Sequence, residues 1–425
     1  MISQQWGLLG VEEWMSSRRS RTLNLGAAVR CFNELSVPGL GGMWFAKPLL
    51  WACLGIQVAQ NNHLKNIKTA NSIEALGCWL ALKQNGWQSD VRLRGVEKMK
   101  GKDDICFAKI SRPSFYITQP MRQQTGDLLR TLNFVDESGS RFNSFQLSSI
   151  GEEFLHVATS HLRPRRMSAV NFLGAWVRGE QNANTNASHE LLSPLIALPG
   201  AARDFLHNRI NVVSSGVELN GRMRAAVAWV GELAKKKKKI MEIDWQHKPK
   251  QIADAHWQDL RSGARFFLTR DAAIELLNCL EIELVCRTQK CIDPSEILPS
   301  LNQSVVDLRT AAKLFIHEKY DPSPNGMAGE FCHECIENDQ NLLLTKLVER
   351  DGRVLRLQEN KIIPGLAFNE GAGKAATEEN SGEAESVSVG RIVWPSGISS
   401  RLPNLFLLNL DLHGKLDNWL NTKED

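Results

Sequence analysis

The sequence predicts a mainly α, helical multidomain protein with a small C-terminal α+β part, and three observations lead there. Apolar residues recur at helical spacing, as at Leu25, Val29, Phe32 and Leu35, so that each such stretch carries one face to bury. Residues 167–320 read as helix almost throughout, from NFLGAWVRG to VVDLRTAAKLFI. After Tyr320 the character changes, and short alternating segments join the helices. A chain of 425 residues exceeds one ordinary core, so several domains are expected. The pattern divides them as a helical segment 1–71, a compact domain 72–166, a helical domain 167–320 and an α+β region 321–425.

Bulk composition narrows the function classes. A hydrophobic fraction of 43% with 23% charged residues is globular. The net charge of +4 is mild for this length, so a nucleic-acid surface has to be a local patch rather than a global field. Nine Cys without a secretory pattern read as reduced thiols of a cytoplasmic protein. The most apolar run, residues 49–59, falls well short of the roughly 20 residues a bilayer-spanning helix needs, so it is expected to be a buried helix and no membrane is expected as a partner. Twelve Trp against two Tyr bear on core filling.

Taken in order, Arg18, Arg19 and Arg21 precede the first helix and are read as a solvated helix start, with a phosphate-contacting arm as the competing reading. VPGLGGMWF at 37–45 is a reversal between helices. It is not a phosphate loop, because no Gly-Lys-Ser/Thr follows. SIEALGCWLALKQNGW places Ile73, Leu76, Leu80 and Leu82 on a helix ended by Asn85-Gly86. VRLRGVEKMKGKDD is basic and forms a helix or a loop, and CFAKISRPSFYIT is expected to be extended around its proline.

A helix over QPMRQQTGDLLRTLNF follows, with Met121, Leu128, Leu129 and Leu132 inward and Arg122, Gln123, Gln124, Arg130 and Asn133 outside. FVDESGSRFNSFQLS gives two short strands around residues 137–140, anchored by Phe142, Phe145 and Leu147. SSIGEEFL starts another helix behind a serine cap, and HLRPRR adds Arg163, Arg165 and Arg166 directly behind it.

Over residues 72–161 this order resembles the second half of a winged-helix DNA-binding domain. The resemblance implies an embedded winged helix in which Arg122, Gln123, Gln124 and Arg130 approach base edges. It also implies wing contacts from Arg141 and Asn143 with the backbone or minor groove. Asp127 on the same helix counts against a uniformly phosphate-facing surface.

Lys235, Lys236, Lys237, Lys238 and Lys239 end a later helix, where the helix dipole favours cations; on a nucleic acid they would supply phosphate affinity without base information. Asp351-Gly352 is expected to be the turn of a hairpin, and residues 369–388, rich in Gly, Ala, Glu and Ser, are expected to be disordered. The closing apolar segment is expected to pack back on the body.

Few constellations suggest chemistry. Cys332 and Cys335, separated by two residues, can wrap one tetrahedral metal and, with Cys286 and Cys291, would complete a four-cysteine zinc set; the competing reading is four reduced, partly buried thiols. His317-Glu-Lys319 and His413-Gly-Lys415 each match half of a phosphodiesterase motif, and neither has the downstream Asp. The sequence therefore points to a non-enzymatic DNA-binding protein that uses a winged helix and flanking basic clusters. A second reading is a docking scaffold, one subunit of a multiprotein complex, resembling accessory subunits of bacterial mobile-element or phage-defence (antiviral) systems. A third is a metal-dependent nuclease with zinc.

Overall fold

The computed structural model describes residues 20–21, 23–137, 139, 141–213, 218–235, 241–296, 298–368, 376–377 and 392–421. The described residues form a mainly helical protein, with seventeen α-helices and eight strands of two to four residues. In chain order the helices are α1 (Gly26–Ser36), α2 (Lys47–Asn61), α3 (Asn66–Gln84), α4 (Val96–Met99), α5 (Phe107–Ile110), α6 (Gly126–Thr131), α7 (Ser149–Thr159), α8 (Ala169–Val177) and α9 (Asn186–Leu192). They continue as α10 (Gly200–Val213), α11 (Glu218–Lys235), α12 (Asp254–Cys286), α13 (Asn302–His317), α14 (Met327–Cys335), α15 (Gln340–Asp351), α16 (Arg401–Leu412) and α17 (Leu416–Asn421). The strands pair only in twos. β1 (Ser20–Arg21) runs parallel to β7 (Ala376–Thr377), and β4 (Met241–Glu242) runs parallel to β8 (Ile392–Val393). β2 (Val135–Glu137) is antiparallel to β3 (Phe145–Leu147), and β5 (Leu355–Gln358) to β6 (Lys361–Pro364).

The chain divides into two compact units, each assembled from segments distant in sequence. Unit 1 comprises Met1–Cys31 and Ala264–Glu379, and unit 2 comprises Phe32–Gly263 and Asn380–Asp425. Residues 71 and 72, the expected limit of the first segment, both lie inside α3.

Unit 2 is built around α2, whose residues from Lys47 to Ala59 are buried except Gln57. Pro48 suits the first turn, where its missing N–H has no intrahelical partner to lose. α3 crosses α2 at a glycine: a Cβ on Gly55 would lie 2.4 Å from the Cα and Cβ of Ala70. The tryptophans fill this core and also spend their one donor in it. Trp51 donates to Leu192 O at 2.9 Å, Trp79 to Lys102 O at 2.7 Å and Trp176 to Ile105 O at 3.0 Å. The closing segment does return to the body: α16 is buried along its whole length, and Asp411 accepts the Ala46 N–H at 2.7 Å. Arg401, also buried, reaches Glu34 at 2.6 Å and Val37 O at 2.9 Å, which pins the 37–45 reversal, where Gly39 and Gly41 take φ of 66° and 60°.

Unit 1 packs Phe266 against Phe267, Phe315 and Phe331. Arg21 lies here, and the expectation of a solvated helix start does not hold for it. Its side chain is fully buried between Asp351 and Glu281. Arg18 and Arg19 lie outside the described residues.

Three further expectations are corrected. CFAKISRPSFYIT is not extended: residues 107–110 form α5, because Phe107 and Ile110 are three apart and bury one helical face, with Phe107 edge-on to Trp176 at 5.4 Å. The helix expected over 119–133 is a 3₁₀ turn, Met121–Gln124, followed by the six-residue α6. The carboxylate of Glu74 takes the N–H groups of Met121 and Arg122, fixing the turn, and Gly126 is a poor helix former where α6 begins. Asp351-Gly352 is not a hairpin turn but a helix end. Leu343, Leu344, Leu347 and Val348 are buried at helical spacing on α15, and Gly352 caps it at φ 57°. The hairpin is β5–β6, turned by Glu359 and Asn360 at φ 51° and 61°, a type I′ geometry. Of the stretch expected to be disordered, residues 376–377 form β7 and the rest of 369–388 lies outside the described residues.

Candidate anion-binding cleft

A cleft lined by several cationic side chains lies in unit 2, along α11. Met223, Ala226, Val230 and Leu233 of α11 are buried at helical spacing. The opposite face carries Arg224, Ala228, Gly231, Glu232 and Lys235, again at steps of three and four residues. Small side chains at 228 and 231 leave room there, and the space is a cleft of about 420 Å³.

Two other elements complete its walls. α10 contributes His207 and Asn211, one turn apart, and α16 contributes Asn409 before ending in a reversal that presents His413 and Lys415. In that reversal Lys415 N donates to Leu410 O at 2.8 Å and Gly414 N to Asp411 O at 2.9 Å, with Gly414 at φ 67°. The Nδ1–H of His413 donates to Asn409 O at 2.7 Å, which leaves the proton off Nε2 in the neutral ring. The His207 and His413 rings stand edge to face, 5.2 Å apart. Arg203 of α10 lies against Gly414 so closely that a Cβ there would be 2.3 Å from Nη1, and its buried Nε has no hydrogen-bond partner. Against these cations stands one lining carboxylate, Glu232, which accepts from Lys235 at 2.8 Å.

A second cleft of about 560 Å³ adjoins the first and shares Arg224, Ala228 and Gln251 with it. Its walls include Arg222 and His256. Arg222 is 2.5 Å from buried Asp259. His256 is 2% exposed; because a carbonyl can only accept, Nε2 carries the proton and donates to Ser36 O at 2.8 Å, while Nδ1 has no partner. Burial holds its pKa below the usual histidine range.

The described residues predicted to contact nucleic acid are distributed over unit 2 rather than gathered on one helix, and the four cysteines of the predicted zinc set belong to unit 1. Arg122 is half-buried, with Nε donating to Asn71 at 2.6 Å and its guanidinium 4.9 Å from the centroid of the Phe142 ring. Arg130 pairs with Asp127 one turn earlier and lies over the Phe145 ring. Gln123 is exposed and Gln124 half-buried. Met121, Leu128, Leu129 and Leu132 are buried as expected, as are the anchors Phe142, Phe145 and Leu147. Asn143 accepts the Ile67 N–H at 2.9 Å, so its carbonyl oxygen caps the first turn of α3; Arg141 is exposed. Beneath this region Glu74 is buried, and accepts from Tyr116 at 3.0 Å besides the two backbone N–H groups. Burial pushes its pKa up to about 6.

Arg163, Arg165 and Arg166 are all exposed on the Pro164–Arg166 turn, where Arg165 and Arg166 take φ of 49° and 65°. Lys235 is exposed at the cleft, and Lys236, Lys237, Lys238 and Lys239 lie outside the described residues. Of the proposed zinc set, Cys332 and Cys335 are buried, Cys291 is half-buried and Cys286 exposed. Among the described residues no three His, Cys, Asp or Glu side chains form a group that could hold a metal ion.

His207, Arg203, Arg224 and His256 escaped the sequence reading because no motif joins them. They come from three helices, α10, α11 and α12, and their local signals are the i, i+4 spacing of Arg203, His207 and Asn211 and the small-residue face of α11. No protein-family profile, no curated protein and no solved structure matches the chain. Among the described residues, no helix is long and apolar enough to cross a membrane.

Proposed function

We propose that the protein is a non-enzymatic DNA-binding protein that grips the phosphate backbone through unit 2. The observation that carries this reading is the Pro164–Arg166 turn. Its two exposed arginines, Arg165 and Arg166, and the exposed Arg163 just before it have no carboxylate paired with them among the described residues, so their charge is available to an outside anion. Backbone phosphates are the polymeric anion that such forks recognise, and they supply affinity without sequence information. A winged-helix role for residues 72–161 is supported by the β2–β3 ribbon leading into α7, whose first turn is capped by Ser148 accepting from Gly151 N at 3.1 Å. In that role Gln123 and Arg141 are the exposed side chains available to DNA, since Arg122 and Arg130 have partners inside the protein. Titration of a labelled duplex at two salt concentrations tests the proposal. Binding that weakens steeply with salt is the expected result, and no binding at low salt would overturn it.

A second reading, a docking subunit of a protein complex, is favoured by unit 1. There Ile282, Val306, Leu314 and Leu342 are large apolar side chains left 40–63% exposed. Co-purification of a stable protein partner without nucleic acid would favour it over DNA binding.

A further inference from the structure

The cleft bounded by α10, α11 and the end of α16 has a composition that a general backbone-binding surface does not require. Its volume of about 420 Å³ is that of a small-ligand site, enough for one nucleotide but not for a duplex. Its charge converges from two elements: Arg224 and Lys235 from α11, the latter shared with Glu232, and Lys415 from the reversal after α16. Two imidazoles in edge-to-face contact, His207 and His413, line it as well.

We infer that this cleft binds a phosphate monoester of nucleotide size. A phosphate dianion has three terminal oxygens pointing in different directions, and donors arriving from several helices match it better than they match a flat carboxylate. Val227, Ala228 and Leu410 give the cleft an apolar side against which the organic part of the ester can lie. Asn211 and Asn409 supply neutral amides at its polar edge. The ester is either a free nucleotide-like molecule or the phosphorylated end of a nucleic-acid strand, since both present the same group. The inference does not depend on the DNA reading, because the arginine turn at 163–166 is not among the residues lining the cleft.

The test is calorimetric titration of the full chain with adenosine 5′-monophosphate, inorganic phosphate and adenosine. The nucleotide and inorganic phosphate are expected to bind, and adenosine is expected to bind at least about tenfold more weakly than the nucleotide, the scale of one charge-assisted hydrogen bond. Lys415→Glu and Arg224→Glu, both changes at exposed positions, are each expected to weaken the nucleotide by about tenfold or more with little change in melting temperature. Adenosine binding as tightly as the nucleotide, or both variants binding like the wild type, would overturn the inference. An Arg163→Glu, Arg165→Glu, Arg166→Glu triple variant separates the two readings. Loss of duplex binding with nucleotide affinity retained is expected, and parallel loss of both would remove the separate pocket. Competition by a 5′-phosphorylated but not a 5′-hydroxyl single strand assigns the phosphate to a strand end, whereas nucleotide binding without that competition assigns it to a free ester; both results uphold the pocket.

Discussion

Arg21 and Asp351 stand 330 positions apart in the chain, and their side chains meet at 2.5 Å with no exposure to solvent on either. The same guanidinium reaches Glu281 at 2.6 Å, Leu277 O at 3.1 Å and Asn278 at 3.1 Å. Asp351 in turn accepts the Leu355 N–H at 3.0 Å, which connects the end of α15 to the start of the β5–β6 hairpin. One cation thus serves two buried carboxylates in unit 1, and burial still holds Asp351 above the usual carboxylate range.

Removing that cation is expected to destabilise unit 1 heavily. Arg21→Met leaves Glu281 and Asp351 buried without their partner, a loss of about 3–5 kcal/mol. Urea unfolding, with hydrogen exchange followed at α14 and α15, measures it. A variant with wild-type stability would show that the arginine does not hold these elements together.

Gly55 marks the closest approach of α2 and α3. The 2.4 Å that a Cβ would leave to Ala70 is a backbone-level clash, so Gly55→Ala is expected to lower stability by about 1–3 kcal/mol despite alanine's better helix propensity. Thermal melting decides it: a raised melting temperature would mean that the helices separate without cost.

Two buried groups give unit 2 a pH dependence of opposite sign on either side of neutrality. Glu74 is pushed up from 4.5 to about 6, so between these values the folded state binds more protons than the unfolded, and stability falls as pH rises. The full effect above pH 6 is about 2 kcal/mol. Lys47 is lowered from 10.5 to about 8 by burial; between pH 8 and 10.5 the unfolded state holds the extra proton, so stability rises with pH there. Unfolding free energies across pH 4–11 are expected to lose the first slope in Glu74→Gln and the second in Lys47→Met.

The arginine turn is expected to set the salt dependence of DNA binding. Replacing Arg163, Arg165 and Arg166 together by alanine removes up to three phosphate contacts and reduces the slope of log affinity against log salt by about 2–3. Arg122→Ala is expected to act differently. It breaks the Asn71 and Phe142 contacts, so melting temperature falls while the salt slope is unchanged. A slope unaltered in the triple variant would place the DNA contacts elsewhere.

Much of this protein was legible one helix at a time. The buried faces of α1 and α3, the buried helix α2, the start of α7 behind the serine cap at Ser148 and the ribbon anchored by Phe142, Phe145 and Leu147 follow from local pattern, because those patterns act over a few residues. The errors have the same local origin. Apolar residues at 107–117 fit a strand or a short helix equally well, and only Trp176 beside Phe107 decides between them. The 121–131 region reads as one helix until the distant Glu74 takes two of its N–H groups.

The sequence by itself determined that the chain is mainly helical, where most helices run, and which faces are buried, since periodicity and caps are properties of neighbours along the chain. Tertiary structure alone decided that Arg21 is buried rather than solvated, that Arg122 is held by Asn71 and the Phe142 ring, and that His207, Arg224, His413 and Lys415 share a cleft. Each of those outcomes depends on side chains brought together from separate segments, and the energies that decide them, ion pairing and desolvation, depend on separation in space, whatever the separation in sequence.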